Sequence, residues 1–240
     1  MKVLRTDKGI RFGLWGEKPT RESVLLLTVA DVGKFQTQDV HKEIARRLAQ
    51  DGVCCMAVDP PCHGEDIRDG EPIELKGWAH RVKRGDDLMD EFADRASHVL
   101  DHLLATEDID PERVVAVGTS RGGFCALHLA ARDSRVRVVA AIGPVTELSA
   151  LSEFAGIEAD PATTKLDVRH LAPALAGRPI RMTMGHDYGR VSTDACVRLA
   201  RTLATANAKL PEDQRRPVEL VLMPTEGHMS TPEDQSQTSA

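Results

Sequence analysis

The sequence predicts an α/β fold in which a mostly parallel central sheet of about eight strands is covered by helices on both faces. Two observations support this fold class. Short apolar runs such as residues 53–58 (VCCMAV) recur along the chain with almost no polar residue in them. Segments with apolar residues at helical spacing separate these runs. Strands that are apolar on both sides are typical of parallel sheets, because both faces of such sheets are buried.

The predicted strands follow one another along the whole chain. Residues 2–6 and 10–16 can form an antiparallel pair across the turn Asp7-Lys8-Gly9. The later strands are apolar and rich in β-branched residues, as strands in a buried sheet require. They are predicted at residues 23–30 (SVLLLTVA), 53–58, 114–117, 136–142, 180–184 and 218–223.

Helices are predicted between these strands. In residues 37–50, one face carries Val40, Ile44 and Leu48, and Thr37 can accept hydrogen bonds from the free N–H groups of the first turn. A long apolar stripe also predicts a helix over residues 86–106. The remaining helices are predicted at residues 122–131 and 192–209.

The chain contains no internal repeat and no low-complexity linker, so its 240 residues predict a single domain. Two long stretches interrupt the alternation of strands and helices. Residues 60–85 are polar and rich in Pro and Gly, and residues 145–178 form a partly helical excursion that is a candidate lid. The polar residues 231–240 are expected to be a frayed tail.

Composition excludes several classes of function. The net charge of −6 and the mixture of both signs give no basic patch for nucleic acid. No apolar run approaches the length of a membrane span, and the first residues do not form a signal peptide. The five cysteines are expected to be reduced and buried, which favours a cytoplasmic protein. They are Cys54, Cys55, Cys62, Cys125 and Cys196. No metal site is predicted.

A serine lies where the predicted strand 114–117 becomes the helix that follows it. The stretch Gly118-Thr119-Ser120-Arg121-Gly122-Gly123 places glycines on both sides of Ser120, and glycine permits a very sharp turn. Free N–H groups at the start of a helix can bind an anion beside the hydroxyl. This is the context of a nucleophilic serine on a strand–turn–helix elbow. The alternative is a tight turn with a capping serine.

A serine nucleophile needs a base, and the base needs an acid that orients it. Asp187 follows the strand that starts at residue 180, and His228 follows the last strand. The carboxyl ends of parallel strands lie at one edge of the sheet, so these side chains can meet Ser120 there. Glu147 is the second candidate for the acid, and His186 is a weaker candidate for the base.

Five motifs lie at the ends of the predicted strands or beside them. They are SVLLLTVAD (23–31), DPPCHGED (59–66), IDPERVVAVGTSRGG (109–123), GHDYGRVST (185–193) and EGH (226–228). In these motifs the sequence resembles the α/β-hydrolase superfamily over nearly its whole length, most closely the branch of dienelactone hydrolases and prolyl-oligopeptidase-like enzymes. The resemblance implies that Ser120 is the nucleophile, His228 the general base and then acid, and Asp187 the residue that orients the imidazole. It implies no metal and no organic cofactor.

The resemblance also implies an oxyanion hole, a pair of backbone N–H groups that hold the negative oxygen of the reaction intermediate. One donor would be Arg121, and the other would come from the loop after the strand 23–30, either Ala30 or, as second choice, Asp31. The Asp31 carboxylate would have to turn away from that oxygen. The side chain of Arg121 is expected either to pair with a carboxylate of a neighbouring loop or to bind an acidic group of the substrate.

The sequence therefore predicts a serine hydrolase that cleaves a small-molecule carboxylic ester through an acyl-enzyme. Three alternatives remain open: a peptidase or amidase, a dienelactone-type hydrolase and a non-catalytic binding module. The dienelactone-type enzyme, with its cysteine nucleophile, is disfavoured because residue 120 is serine. A binding module is possible because a fold alone does not determine function. The oligomeric state is not predicted.

Overall fold

The structure is a computed structural model that describes residues 1–16, 19–21, 23–29, 31–37, 45, 48–49 and 51–226. The described residues form one sheet with the strand order β1-β2-β4-β3-β5-β6-β7-β8. β2 runs antiparallel to both of its neighbours, β1 and β4, and β3 to β8 are all parallel to one another. The strands are Lys2–Arg5 (β1), Arg11–Trp15 (β2), Leu25–Val29 (β3), Cys54–Val58 (β4), Val114–Thr119 (β5), Val136–Ile142 (β6), Ile180–Asp187 (β7) and Val218–Glu226 (β8).

Helices lie between the strands, as the alternation of the sequence predicts. In the described residues they are Val32–Thr37 (α1), Glu74–Lys83 (α2), Met89–Thr106 (α3), Arg121–Arg132 (α4), Pro161–Thr164 (α5), Ala172–Leu175 (α6) and Thr193–Ala208 (α7). The predicted α/β class, with a mostly parallel central sheet and helices between its strands, is confirmed. The helix predicted at residues 37–50 lies mostly outside the described residues.

Both faces of the sheet are packed, and strand β4 shows why its sequence is apolar throughout. Its five residues are all buried. Cys54, Met56 and Val58 belong to the main hydrophobic core on one face. Cys55 and Ala57 belong to a smaller core on the opposite face, together with residues such as Val32 and Val117. Alternate side chains of a strand point to opposite faces, so a strand buried on both sides has no polar position.

The stretch at residues 60–85 contains a helix, α2, that is not predicted from its sequence. Gly77 lies in the middle of α2 and weakens the helical pattern of the sequence. The structure nevertheless requires a glycine at this position. A Cβ atom there would lie 2.3 Å from the carbonyl oxygen of Pro72 and 2.7 Å from the Cys62 sulfur. The apolar side chains of α2 at helical spacing are buried, among them Trp78 at 0% exposed. This stretch is thus packed against the domain.

The excursion at residues 145–178 is built from short 3₁₀ turns and the one-turn helices α5 and α6. Its side chains Leu151 and Phe154 are 2% and 0% exposed and belong to the main core. Leu166 and Leu171 are half-buried against the same core. In the described structure the excursion therefore contributes to the hydrophobic core.

The five cysteines are buried free thiols, and no helix of the described residues is long and apolar enough to cross a membrane. Burial raises the pKa of the Cys55 thiol to about 12, with a smaller contribution from Cys54. Because a thiol, unlike a thiolate, is a poor nucleophile and metal ligand, these cysteines serve as small apolar side chains.

A buried ion network fixes the stretch at residues 60–85. Arg81 of α2 is 2% exposed and donates hydrogen bonds to the Asp66 carboxylate at 2.5 Å, the Asp66 carbonyl oxygen at 2.7 Å and the Glu71 carboxylate at 2.9 Å. Arg95 of α3 contacts the second Asp66 oxygen at 2.8 Å. The network connects α2 and α3 to the turn that contains Asp66, which lies between β4 and α2.

Replacing Arg81 should destabilise the domain much more than replacing an exposed arginine. We expect Arg81→Met to lower the free energy of unfolding by about 3 kcal/mol, because two carboxylates lose their buried partner. Arg132→Met is the matched control: its contacts with Asp90 and Asp94 are exposed, and their loss should cost less than about 1 kcal/mol. Urea unfolding monitored by circular dichroism measures both. Equal effects would contradict this role for the network.

The network should also make stability depend on pH. The hydrogen bond from Arg81 holds the pKa of Glu71 below its ordinary value of 4.5. A carboxyl group whose pKa is lower in the folded state stabilises the fold above its unfolded pKa, and this contribution is lost as pH falls through the folded value. The stability difference between the wild type and Glu71→Gln should therefore shrink from about pH 7 to about pH 3.5. A difference that stays constant in urea titrations would exclude the linkage.

Candidate active site

Ser120 lies between β5 and α4 with backbone angles φ 57° and ψ −119°. This left-handed conformation is rare for a residue with a side chain and costs about 1–3 kcal/mol, so the surroundings must enforce it. The Ser120 N–H donates to the carbonyl oxygen of Ile142 at 2.8 Å, and the Ser120 carbonyl oxygen accepts from Val145 at 3.1 Å. These bonds fix the turn to the neighbouring strand β6 and the segment after it.

The glycines around Ser120 are required by close backbone contact. A Cβ atom on Gly118 would lie 2.1 Å from the carbonyl carbon and oxygen of Gly122, and one on Gly123 would lie 2.9 Å from the Pro144 side chain. The first turn of α4 is therefore packed directly against the end of β5. This is the geometry that presents a half-buried serine hydroxyl beside the N-terminus of a helix.

The segment after β3 lies next to this turn, because β3 and β5 are adjacent parallel strands with Thr28 opposite Val117. Ala30 lies outside the described residues. The Asp31 carboxylate accepts the Lys34 N–H at 2.9 Å and so caps the start of α1. The Val32 N–H donates to the buried Asp59 carboxylate at 2.7 Å. Both carboxylates thus hold the beginning of α1 by its free N–H groups.

The predicted acid, Asp187, is the last residue of β7 and is exposed. It lies opposite Glu226, the last residue of β8, and β7 is two strands away from β5 in the sheet. The predicted base, His228, and its neighbour Gly227 lie outside the described residues. The structure thus places Ser120 and Asp187 at the same edge of the sheet, and the assignment of the base stays a prediction.

The other candidates for acid and base have different surroundings. The Glu147 carboxylate contacts Arg198 at 3.0 Å and Arg169 at 3.5 Å, which makes it part of an ion pair between the excursion and α7. His186 is exposed on β7. In the described residues there is no group of three or more His, Cys, Asp or Glu side chains that could hold a metal ion.

Glu74 lies beside the turn that carries Ser120, and it is not predicted as a site residue from the sequence. Its carboxylate accepts a hydrogen bond from Lys34 at 2.5 Å and contacts the Arg121 guanidinium at 3.5 Å. The Arg121 side chain therefore pairs with a carboxylate of a neighbouring segment, here the start of α2, and this is the first of the two roles expected for it. Glu74 was hidden because the stretch around it was predicted as a loop, and sequence alone does not show which loops meet at the edge of the sheet.

A buried histidine belongs to the same cluster. His63 is 2% exposed, and its Nδ1 lies 2.7 Å from the carbonyl oxygen of Pro61, to which it can only donate. Its Nε2 has no hydrogen-bond partner among the described residues. Burial, followed by the Arg121 guanidinium, holds the pKa of His63 below its ordinary value and so favours the neutral ring. The bond to Pro61 stabilises the turn that follows β4.

Comparison with protein families identifies the fold directly. Residues 35–239 match the model of a family described as the alpha/beta hydrolase family. The search of curated proteins found no match.

Many solved structures share the fold. A cold-adapted esterase from an Arctic intertidal metagenomic library aligns over 99% of this chain and 89% of its own, with a TM-score of 0.65 and 20% identity. A glucuronoyl esterase from Teredinibacter turnerae aligns over 99% and 71%, with a TM-score of 0.61 and 15% identity. An acylaminoacyl peptidase from Pyrococcus horikoshii aligns over 99% and 39%, with a TM-score of 0.69 and 11% identity. At these identities the similarity concerns the fold.

The contact between Gly118 and Gly122 should make the turn intolerant of a single methyl group. We expect Gly118→Ala to lower the free energy of unfolding by about 3 kcal/mol, because the added Cβ collides with backbone atoms that cannot move aside. Gly189→Ala is the matched control, since a Cβ atom there meets nothing within 4 Å. Thermal unfolding of both variants provides the measurement, and equal midpoints would show that the turn is not constrained as described.

Proposed function

Because the chain belongs to the α/β-hydrolase family, we propose that it is a serine hydrolase that cleaves a small carboxylic ester through an acyl-enzyme. The conformation of Ser120 carries the proposal. A serine in a strained left-handed conformation, at the end of a central strand and at the start of a helix, is costly for stability alone. The strain is explained if the hydroxyl has to be presented to a substrate beside free N–H groups.

In the proposed mechanism the Ser120 oxygen attacks the ester carbonyl and forms a tetrahedral intermediate. His228 takes the hydroxyl proton and passes it to the leaving alcohol, and Asp187 orients the imidazole. The negative oxygen of the intermediate is held by the backbone N–H of Arg121 and by a second N–H from residue 30 or 31. A water molecule then gives a proton to His228 and attacks the acyl carbon. His228 returns this proton to the Ser120 oxygen as the bond between that oxygen and the acyl group breaks, which releases the acid. The chemistry needs no metal or organic cofactor.

Esters are the preferred substrate class because an alcohol is an easier leaving group than an amine, which must be protonated before it departs. Similarity to the metagenomic esterase, which spans most of both chains, supports the same choice. The second candidate is a peptidase or amidase, and the similarity to the acylaminoacyl peptidase favours it. This chain aligns with only 39% of that peptidase, which makes the esterase the better guide.

A fluorophosphonate probe tests the nucleophile, because it forms a covalent bond only with an activated serine. We expect the wild-type protein to be labelled and Ser120→Ala to be unlabelled, with ester turnover lowered by up to about 10⁶-fold. Ser149→Ala, in the excursion at residues 145–178, is the control and should be labelled like the wild type. A folded wild type that is not labelled would favour a non-catalytic binding module on the same fold.

The acid and the base can be assigned by comparing the activities of four variants. We expect His228→Ala to lose nearly as much activity as Ser120→Ala, and Asp187→Asn to lose less than either, because residues of a triad act as a unit. Glu147→Gln should keep its activity, since the carboxylate pairs with Arg198 and Arg169. Hydrolysis of short-chain p-nitrophenyl esters measures all four, and aminoacyl p-nitroanilides test the peptidase alternative. An inactive Glu147→Gln beside an active Asp187→Asn would reassign the acid.

A further inference from the structure

Glu74 connects two segments that are far apart in the sequence. Its carboxylate lies 2.5 Å from the Lys34 ammonium group and 3.5 Å from the Arg121 guanidinium group. Lys34 is in α1, three residues after Asp31, and Arg121 immediately follows Ser120. These are the two segments that supply the backbone donors of the proposed oxyanion hole.

We propose that Glu74 is a positioning residue that sets the separation of the two oxyanion donors by holding Lys34 and Arg121 with one carboxylate. The inference rests on the proposed function. The proposed role of Glu74 requires no contact with the substrate. It acts through the backbone of the residues it holds, whose N–H groups must point at one developing charge.

The backbone of Glu74 supports this role. Glu74 has a left-handed φ of 57°, which is strained for a residue with a side chain. Its N–H donates to the Cys62 carbonyl oxygen at 3.0 Å, and Gly77, one turn later, packs against Cys62 and Pro72. The start of α2 is thereby fixed on the loop after β4, and the carboxylate extends from a rigid base.

The charge of Glu74 makes the inference testable, because electrostatic repulsion and positioning predict opposite changes in the reaction rate when the charge is removed. A carboxylate near a developing negative oxygen repels it, so simple electrostatics predicts a faster reaction when Glu74 loses its charge. Positioning predicts the opposite, because neutral Gln holds two cations weakly and the donors lose their alignment. Small displacements of this kind can cost about 10²-fold in rate.

The decisive variant is Glu74→Gln, studied in the full chain with a short-chain p-nitrophenyl ester and a fluorophosphonate. We expect kcat and the rate of phosphonylation of Ser120 to fall at least about tenfold, with KM changed less than about twofold, because only the transition state uses the oxyanion hole. Glu112→Gln, which loses a surface ion pair with Arg137, is the matched control and should keep both rates.

A second variant separates positioning from loss of folding. Lys34→Met removes one of the two contacts without changing Glu74 and should also slow phosphonylation. The double variant should be no slower than Glu74→Gln, because both changes break the same connection. If Glu74→Gln does not fold, the rate of folded Lys34→Met decides the question. Thermal unfolding of each variant distinguishes a slow reaction from a smaller folded fraction.

The outcomes for the two proposals are distinct. A wild type that is not labelled overturns the proposed function, and the positioning role with it. A labelled wild type together with folded Glu74→Gln and Lys34→Met variants that react at the wild-type rate, or faster, overturns only the positioning role of Glu74. Slower phosphonylation of both variants, with KM and thermal midpoint near the wild-type values, supports it.

Discussion

The contact between Gly118 and Gly122 is the constraint on which the candidate site depends. It lets β5 turn into α4 within one residue, and that residue, Ser120, has to take a left-handed conformation. The same contact packs the helix against the carboxyl edge of the sheet. Local strain is tolerated because the surrounding sheet and core determine the backbone completely, which is how strained residues persist at functional sites.

Carboxylates organise the segments that surround this turn. Buried Asp59, at the end of β4, accepts hydrogen bonds from the backbone of Val32 and from Arg11. Glu74 pairs with Lys34 and Arg121. Each carboxylate joins elements that follow different strands, so the edge of the sheet is held together by charge-assisted contacts where apolar packing ends. These contacts fix the geometry that the proposed chemistry requires.

Much of the fold could be predicted from the sequence, because its strands are apolar on both sides and its helices carry a clear stripe. The predicted strand at residues 136–142 and the structure agree residue for residue. The helix α2 could not be predicted, since Gly77 weakens its pattern and only tertiary contact with Pro72 and Cys62 explains that glycine. The turn at Ser120 could be predicted because the glycines that constrain it are its neighbours in the sequence. Glu74 could not be predicted in this way, because its contacts are with Lys34 and Arg121, which are distant from it in the sequence.

The most direct test of the proposed chemistry is a crystal structure of the protein after reaction with a fluorophosphonate. The account predicts phosphorus bonded to the Ser120 oxygen, and a phosphoryl oxygen about 2.7–3.1 Å from the Arg121 backbone nitrogen. It also predicts the His228 imidazole within hydrogen-bonding distance of the modified serine. An unmodified Ser120, or a His228 side chain directed into solvent far from it, would contradict the account.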